Sequence, residues 1–551
     1  MKHKLLSILL SLSLVFSLLP TAALAATAEN CPSDEFCNHQ AAIGSTHYDT
    51  LQDAVDAASS NATVRLLANV VEDVVINKSI TLDLGGKTLT NTNAGKATLT
   101  VAAGATATVM NGNIVGGTSF YTIQNNGTAT LKDVTAKAGN TGSSMIDNYG
   151  DLTINSGSYT GGLNVVKSEE DSKLTINGGK FTLDYATNGY TGVIFAYGDT
   201  TISGGEFIQN LTTTGRWNHP QVILAGVVEG YTSSVKVTGG SFTNKMSGES
   251  IFRGVGKATS DNFEVSGGTY NKSVSDGFFK DGYFAKKVGS VYTADGPYAA
   301  KIGSTGYNTL AAAVEAVANK GTITLLQDIS SDRINLETKS FTVDLNGHTL
   351  NGGTVKGTPT LKIDTARVTV MDSSEAQTGT IMREDTAENS GVSSHYVIDV
   401  QGGNSGWLFF QSGNVKNDSG AGGTKGASLV RVGDDSKPGV PGLTISGGTF
   451  TQDNFIVIKV DRGDLFLNGG TLNSANSYAI ENWFRATIKG GTVNGTVAAW
   501  TYSGGFNSTL TVQGGTINGN VLSVNYGSTE SKVAKVEITG GTVNGALGTY
   551  I

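Results

Sequence analysis

The sequence predicts an all-β chain assembled as two tandem stacks of short strands. Three observations predict it: an eight-residue phrase that keeps returning, a steady spacing between its copies, and a longer passage that occurs twice. The phrase reads Leu443-Thr444-Ile445-Ser446-Gly447-Gly448-Thr449-Phe450, and related copies occupy 174–181, 200–207, 235–242, 263–270, 465–472, 486–493, 510–517 and 536–543. Alternating apolar and polar residues describe a strand with one buried face. The Gly pair supplies a tight turn, because Gly reaches positive φ without steric cost. In the second half the second glycines fall at Gly448, Gly470, Gly491, Gly515 and Gly541, a period of roughly 21 to 26 residues. Such a period is the signature of a stacked repeat.

Taken in order, the chain opens with a basic head (Lys2, Lys4), an apolar run over 5–19, Pro20 and the small-residue site Ala23-Leu24-Ala25. This reads as a secretory signal peptide over 1–25, and the run is short for a bilayer span of ~20 residues. Removing Lys2 and Lys4 takes the formal charge from −8 to −10. A chain this acidic is a poor match for nucleic acid or an anionic membrane, both of which favour basic patches. No later run is apolar enough to span a membrane. Gly accounts for 74 of 551 residues, about twice the usual ~7%, while Thr, Ser and Asn carry most of the polarity.

An N-terminal arm over 26–40 holds the only two cysteines, Cys31 and Cys37. In an exported protein one local disulfide is expected. Free thiols are the second reading. A metal site with His39 is the third, weakened by the lack of a fourth ligand nearby.

The first stack is expected over 41–283. Leu51, Ala54, Val55 and Ala58 follow the i, i+3, i+4, i+7 spacing of a short amphipathic helix, and strands are expected over 64–67, 74–76 and 80–84. The same order returns about 260 residues later. Tyr307-Asn308-Thr309-Leu310 answers Tyr48-Asp49-Thr50-Leu51, and Leu310, Ala313, Val314 and Val317 repeat the helical stripe. Asp344-Leu345-Asn346-Gly347-His348-Thr349-Leu350 answers Asp83-Leu84-Gly85-Gly86-Lys87-Thr88-Leu89. A whole domain is thus duplicated, with a closing and linking segment over 284–300 and a second stack over 301–551. An open stack end invites edge-to-edge association, and repeat proteins need caps, a role each short helix is expected to fill. After the rung at 536–543 no amphipathic closing segment follows. Either that rung caps itself or the sequence is a piece of a longer protein, and the second is the expectation here.

The rung phrase, the Tyr-x-Thr-Leu-x-x-Ala-Val helix and Thr81-Leu82-Asp83-Leu84-Gly85-Gly86-Lys87-Thr88-Leu89 resemble the right-handed parallel β-helix (pectin-lyase-like) modules of secreted and surface proteins of Gram-positive gut bacteria. The resemblance covers nearly all of the mature chain. It implies two tandem right-handed parallel β-helix domains and a secreted or cell-surface setting. It says little about activity, since this fold hosts lyases, hydrolases, adhesins and structural modules.

The lyase and polygalacturonase signatures of that group are missing. No Arg-x-Pro-x-x-Arg stretch occurs, and the one adjacent Asp pair, Asp434-Asp435, lies in a loop-like passage. His348 aligns with Lys87 and reads as a surface position. The best local acid cluster, Asp461-Arg462-Gly463-Asp464, reads as a charged turn. The Gly-Gly-x-Gly-x-Asp calcium repeat and the Gly-x-Ser-x-Gly elbow are also missing. No catalytic residue, metal site or cofactor is assigned, and the chain is read as a non-enzyme.

A binding surface is better marked. Amide and aromatic residues recur in a second strand of each rung, as in Ile123-Gln124-Asn125, Ile146-Asp147-Asn148-Tyr149 and Ile480-Glu481-Asn482-Trp483. Stacked rungs lie about 4.8 Å apart, so Trp483, Trp500, Tyr502 and Tyr526 are expected to form one surface column. With Arg485 beside them, and Trp217 in an insertion of the first stack, they are the candidate glycan contacts. The competing reading turns these rings inward or lays them over turns. The Thr column (Thr449, Thr471, Thr492, Thr516, Thr542) is not read as an ice-binding face, because the rungs are uneven in length. The expected role is an adhesin-like or structural module whose partner is an extracellular glycan or cell-wall polymer. The alternative is a pectin-lyase-like polysaccharide lyase or glycoside hydrolase.

Overall fold

The computed structural model describes residues 38–186, 189–213, 215, 218–330, 332–336, 339–355, 357–384, 396–401, 406–418, 428–452, 455–527 and 531–550. The expected signal peptide, Cys31, Cys37 and Trp217 lie outside the described residues. The regular structure of the described chain is nearly all strand, with two seven-residue α-helices. Its long parallel sheets are consistent with a β-solenoid. The chain divides into two compact units, 1–280 with 287–294, and 281–286 with 295–551.

In the first unit, an eight-stranded parallel sheet runs from Phe252–Gly256 to Val74–Ile76. Sequence neighbours are not sheet neighbours. Lys173–Ile176 pairs in parallel with Asp199–Ile202, so Leu174 meets Thr200 one rung on. Alternation then decides the faces: Leu174 and Ile176 are buried while Lys173 is exposed. The last apolar position of the phrase turns inward and builds a ring stack. Tyr159, Phe181, Phe207 and Phe242 stack with centroids 4.9 Å apart, and Tyr270 continues the stack at 5.4 Å. All five are at most 1% exposed. Val291–Asp295 then pairs antiparallel with Thr269–Tyr270.

The two glycines of the phrase do different work. The second has positive φ, for example +84° at Gly470 and +83° at Gly491. The first does not, but a Cβ on Gly469 would stand 2.4 Å from the Ser446 carbonyl oxygen. One glycine allows the turn, and the other lets rungs approach closely.

The helix Leu51–Ala57 buries Leu51, Ala54 and Val55, and Thr50 caps it by accepting from the Asp53 N–H. It also serves the edge strand Val74–Ile76. Gln52 accepts from the Val75 N–H at 2.8 Å and donates to the Val75 carbonyl at 3.1 Å. The amide thus imitates a neighbouring strand and satisfies an open edge. The Glu72 carboxylate accepts the N–H groups of Leu51 and Gln52, and Lys78 donates to the carbonyls of Asp56 and Ala58. The second unit repeats the device with the helix Leu310–Ala316, capped by Thr309, where Lys339 donates to the Val314 and Glu315 carbonyls.

In the second unit, one sheet of 11 strands ends on Ala534–Ile538, and the other carries the rungs Ile458–Val460, Thr471–Asn482, Thr492–Tyr502, Val521–Tyr526 and Leu547–Tyr550. The Thr column forms in register, from Thr449 through Thr471, Thr492 and Thr516 to Thr542.

Candidate functional site

The site lies on the outer side of the second of these sheets. Alternation in Ile458–Val460 sends Ile458 and Val460 into the core and leaves Lys459 on the outer side. The parallel register lines Asp399, Arg431, Lys459 and Glu481 up on successive rungs. Arg431 donates to both Asp399 oxygens, at 2.9 and 3.0 Å, and lies 4.7 Å over the Tyr396 ring. Lys459 pairs with Asp461 at 3.0 Å, and the Trp483 indole N–H donates to Glu481 at 2.8 Å. Fixed fork geometry and two satisfied oxygens make the Arg431–Asp399 pair the firmest of these contacts.

Two residues past Glu481 and its register partner Ala498 come the rings Trp483 and Trp500. Trp483 and Trp500 stack at 5.3 Å with planes 29° apart. Tyr502 meets Trp483 edge-on at 5.8 Å, and Tyr478 meets Trp500 edge-on at 5.7 Å. Trp483, Tyr502 and Phe506 line a recess of about 150 Å³ together with Lys459, Asp461 and Asp435. Burial raises the Asp461 carboxyl above its ordinary range, with Lys459 pulling the other way and Asp435 adding to the rise. Burial likewise raises Glu481. For Lys459, burial works against the charge, but Asp461 together with Glu481 and Tyr396 outweighs it and the net shift is upward.

The sequence-predicted residues divide. Trp483, Trp500 and Tyr502 come together, but the four rings do not form one column. Tyr502 is in register with Tyr526, while Trp500 faces Val524. With a two-residue strand period, Trp500 and Tyr502 share a face but stand in adjacent columns. Tyr526 is 73% exposed. Arg485 belongs to a different strand, Arg485–Ile488. It grips Asp464 through two hydrogen bonds of 2.5 and 2.9 Å and lies 4.9 Å over the Phe484 ring. The turn acids Asp461 and Asp464 therefore each hold their own cation. Several amides expected on the surface are buried: Asn125, Asn148 and Asn482 are all 0% exposed. Asn125 donates to Asn148 at 2.7 Å and Asn148 to Ser168 at 3.1 Å, an internal ladder that satisfies the turns.

The first unit carries a cluster at a comparable outer position. Asp147 and Lys167 are register partners, and Lys167 pairs with Glu169 and lies 5.4 Å over the Tyr197 ring. Asp147 is fully buried, and its carboxyl lies beside Glu169 and the Tyr121 phenol. Burial first, and then the charge of Glu169, push its carboxyl up to about 7. Burial and Asp147 push the Tyr121 phenol up to about 12. Sequence reasoning passed over Asp147, Lys167, Lys459, Glu481 and Tyr478. The one signal of the four ionisable residues is their place directly after an apolar residue in the short second strand, as in Val166-Lys167 and Ile458-Lys459. Among the described residues, no group of three or more His, Cys, Asp or Glu gathers as a metal site would require, and no helix is long and apolar enough to cross a membrane.

No protein-family model, curated protein or solved structure matches this chain.

Proposed function

We propose that this is an exported secreted or cell-surface protein of two tandem right-handed parallel β-helices. In this reading it binds an extracellular glycan or cell-wall polymer through the second unit and does not turn the polymer over. The observation that carries the reading is the recess where Trp483 and Tyr502 stand beside Lys459 and Asp461. Sugar rings present apolar C–H faces and a rim of hydroxyls. Indole and phenol rings match the first, and a paired Lys and Asp match the second. The acidic net charge supports a partner other than nucleic acid. The paired helices, each set at the start of its unit, support the tandem arrangement.

The test is a glycan array probed with the mature chain and with a Trp483→Ala/Trp500→Ala double variant. Binding that falls at least about tenfold in the variant supports the reading, and equal binding refutes the assigned site. One observation favours a second reading, a polysaccharide hydrolase or lyase: Asp435 and Asp461 line the same recess, and burial raises Asp461. New reducing ends or unsaturated products from pectin, polygalacturonate or mucin glycans would establish that reading and overturn the non-enzymatic one.

A further inference from the structure

Beside the ring cluster, on the next corner of the same rungs, lies an open trench of about 750 Å³. Gly495 and Gly519 are among the residues that line it. A Cβ on Gly519 would stand 2.2 Å from the Gly495 carbonyl oxygen, and one on Gly495 would stand 3.0 Å from the Ser474 carbonyl oxygen. Asn494 and Asn518 line it and belong to a longer row of amides. Asn494 donates to Asn473, Asn518 to Asn494 and Asn544 to Asn518, each at 2.8 Å. Each of these bonds uses one amide hydrogen and one carbonyl lone pair, and an Asn side chain has two of each. The row therefore presents a repeated pattern of spare donors and acceptors, one per rung. Tyr478 and Leu522 line it as well.

Two groups in and beside the trench have no partner among the described residues. Ser474 lines it, is 7% exposed, and its hydroxyl makes no hydrogen bond. Trp500, edge-on to Tyr478, has a buried indole N–H with none either. A buried polar group without a partner costs free energy in the empty protein, and a ligand that supplies the partner removes that cost. Among the described residues, no Lys, Arg, Asp or Glu lines the trench. An anionic polymer would lose its hydration there with no cation in return, whereas a chain of neutral sugars offers hydroxyls that both donate and accept.

We infer that the ligand of the second unit is an uncharged linear polysaccharide lying across successive rungs. It is held at one end in the Trp483 recess and continues past Tyr478 into the amide trench, where Ser474 and the Asn494–Asn518 row hydrogen-bond its hydroxyls. This inference rests on the glycan-binding reading and names its substrate class and the extent of the site.

The test measures affinity calorimetrically for cello-, xylo- and chito-oligosaccharides of about two to eight units, with oligogalacturonates of matched length as the anionic comparison. The variants are Ser474→Ala and Asn518→Ala. Ser474→Ala removes an unpartnered hydroxyl and so leaves the fold intact, which a thermal melt checks. The expected result is that one neutral series gains at least about tenfold in affinity from dimer to octamer. That gain shrinks to about twofold or less in both variants, with dimer affinity unchanged. Dimer binding that does not strengthen with length, or a length effect that survives both variants, overturns the trench while leaving the Trp483 recess standing. Tighter binding of the anionic series also overturns it. No binding at any length overturns the glycan reading as well.

Discussion

Replacing Asp147 by Asn should stabilise the protein at neutral pH and do little in acid. Asp147 is buried, and its carboxyl is raised from 3.8 to about 7. Burial is the main cause, followed by the charge of Glu169, with Lys167 offsetting part of it. Between the two values the folded chain holds a proton that the unfolded chain has released. Stability then falls with rising pH, because the native state binds more protons. The contribution is complete below the unfolded value near 3.8 and is lost as pH rises through the folded value near 7. Three units at about 1.4 kcal/mol each give a loss on the order of 4 kcal/mol. Asn keeps the shape and does not titrate. In urea unfolding followed by circular dichroism, the Asp147→Asn variant should match the parent at about pH 4 and exceed it by up to about 4 kcal/mol at about pH 8. The reasoning fails if the variant is less stable than the parent at the higher pH, or if their difference does not change with pH.

Other outcomes follow from the core and the turns. Phe207→Ala opens the middle of the ring stack between Phe181 and Phe242. It should cost about 3 to 5 kcal/mol and lower the melting temperature of the first unit, whereas loss of an exposed ring such as Tyr526 should leave melting nearly unchanged. Gly470→Ala forces a side chain onto a residue at φ +84° and within 2.7 Å of the Gly448 carbonyl oxygen. It should destabilise by more than about 1 kcal/mol, seen as faster hydrogen exchange in the rungs at 443–450 and 465–472.

The strands were legible because each rung states its pattern locally. Alternation marks Leu174 and Ile176 as inward, and the Gly-Gly pair marks where the chain turns. The helices at Leu51 and Leu310 were legible for the same reason, since each stripe is read within eight consecutive residues. The outer face was less legible because its partners are distant in sequence. Arg431 and Asp399 are 32 residues apart, and only the rung register aligns them. The trench is harder still to foresee. It depends on the insertion at 475–477, which shifts the register between Asn473 and Tyr478, and a repeat phrase read by its glycines does not reveal that shift. Side-chain direction also set a limit. Asn482 and Trp483 are adjacent, and alternation sends the first into the core and keeps the second half-exposed.

The most direct measurement of the central claim is the tryptophan emission of the intact mature protein during titration with neutral oligosaccharides of about eight sugar units. The chain has four tryptophans, and two of them, Trp483 and Trp500, stack against each other at the recess. A sugar held there removes water from these rings. The account predicts a saturable change in emission that disappears in the Trp483→Ala/Trp500→Ala variant. Binding seen by calorimetry with no change in emission, or a change that persists in the variant, would contradict it.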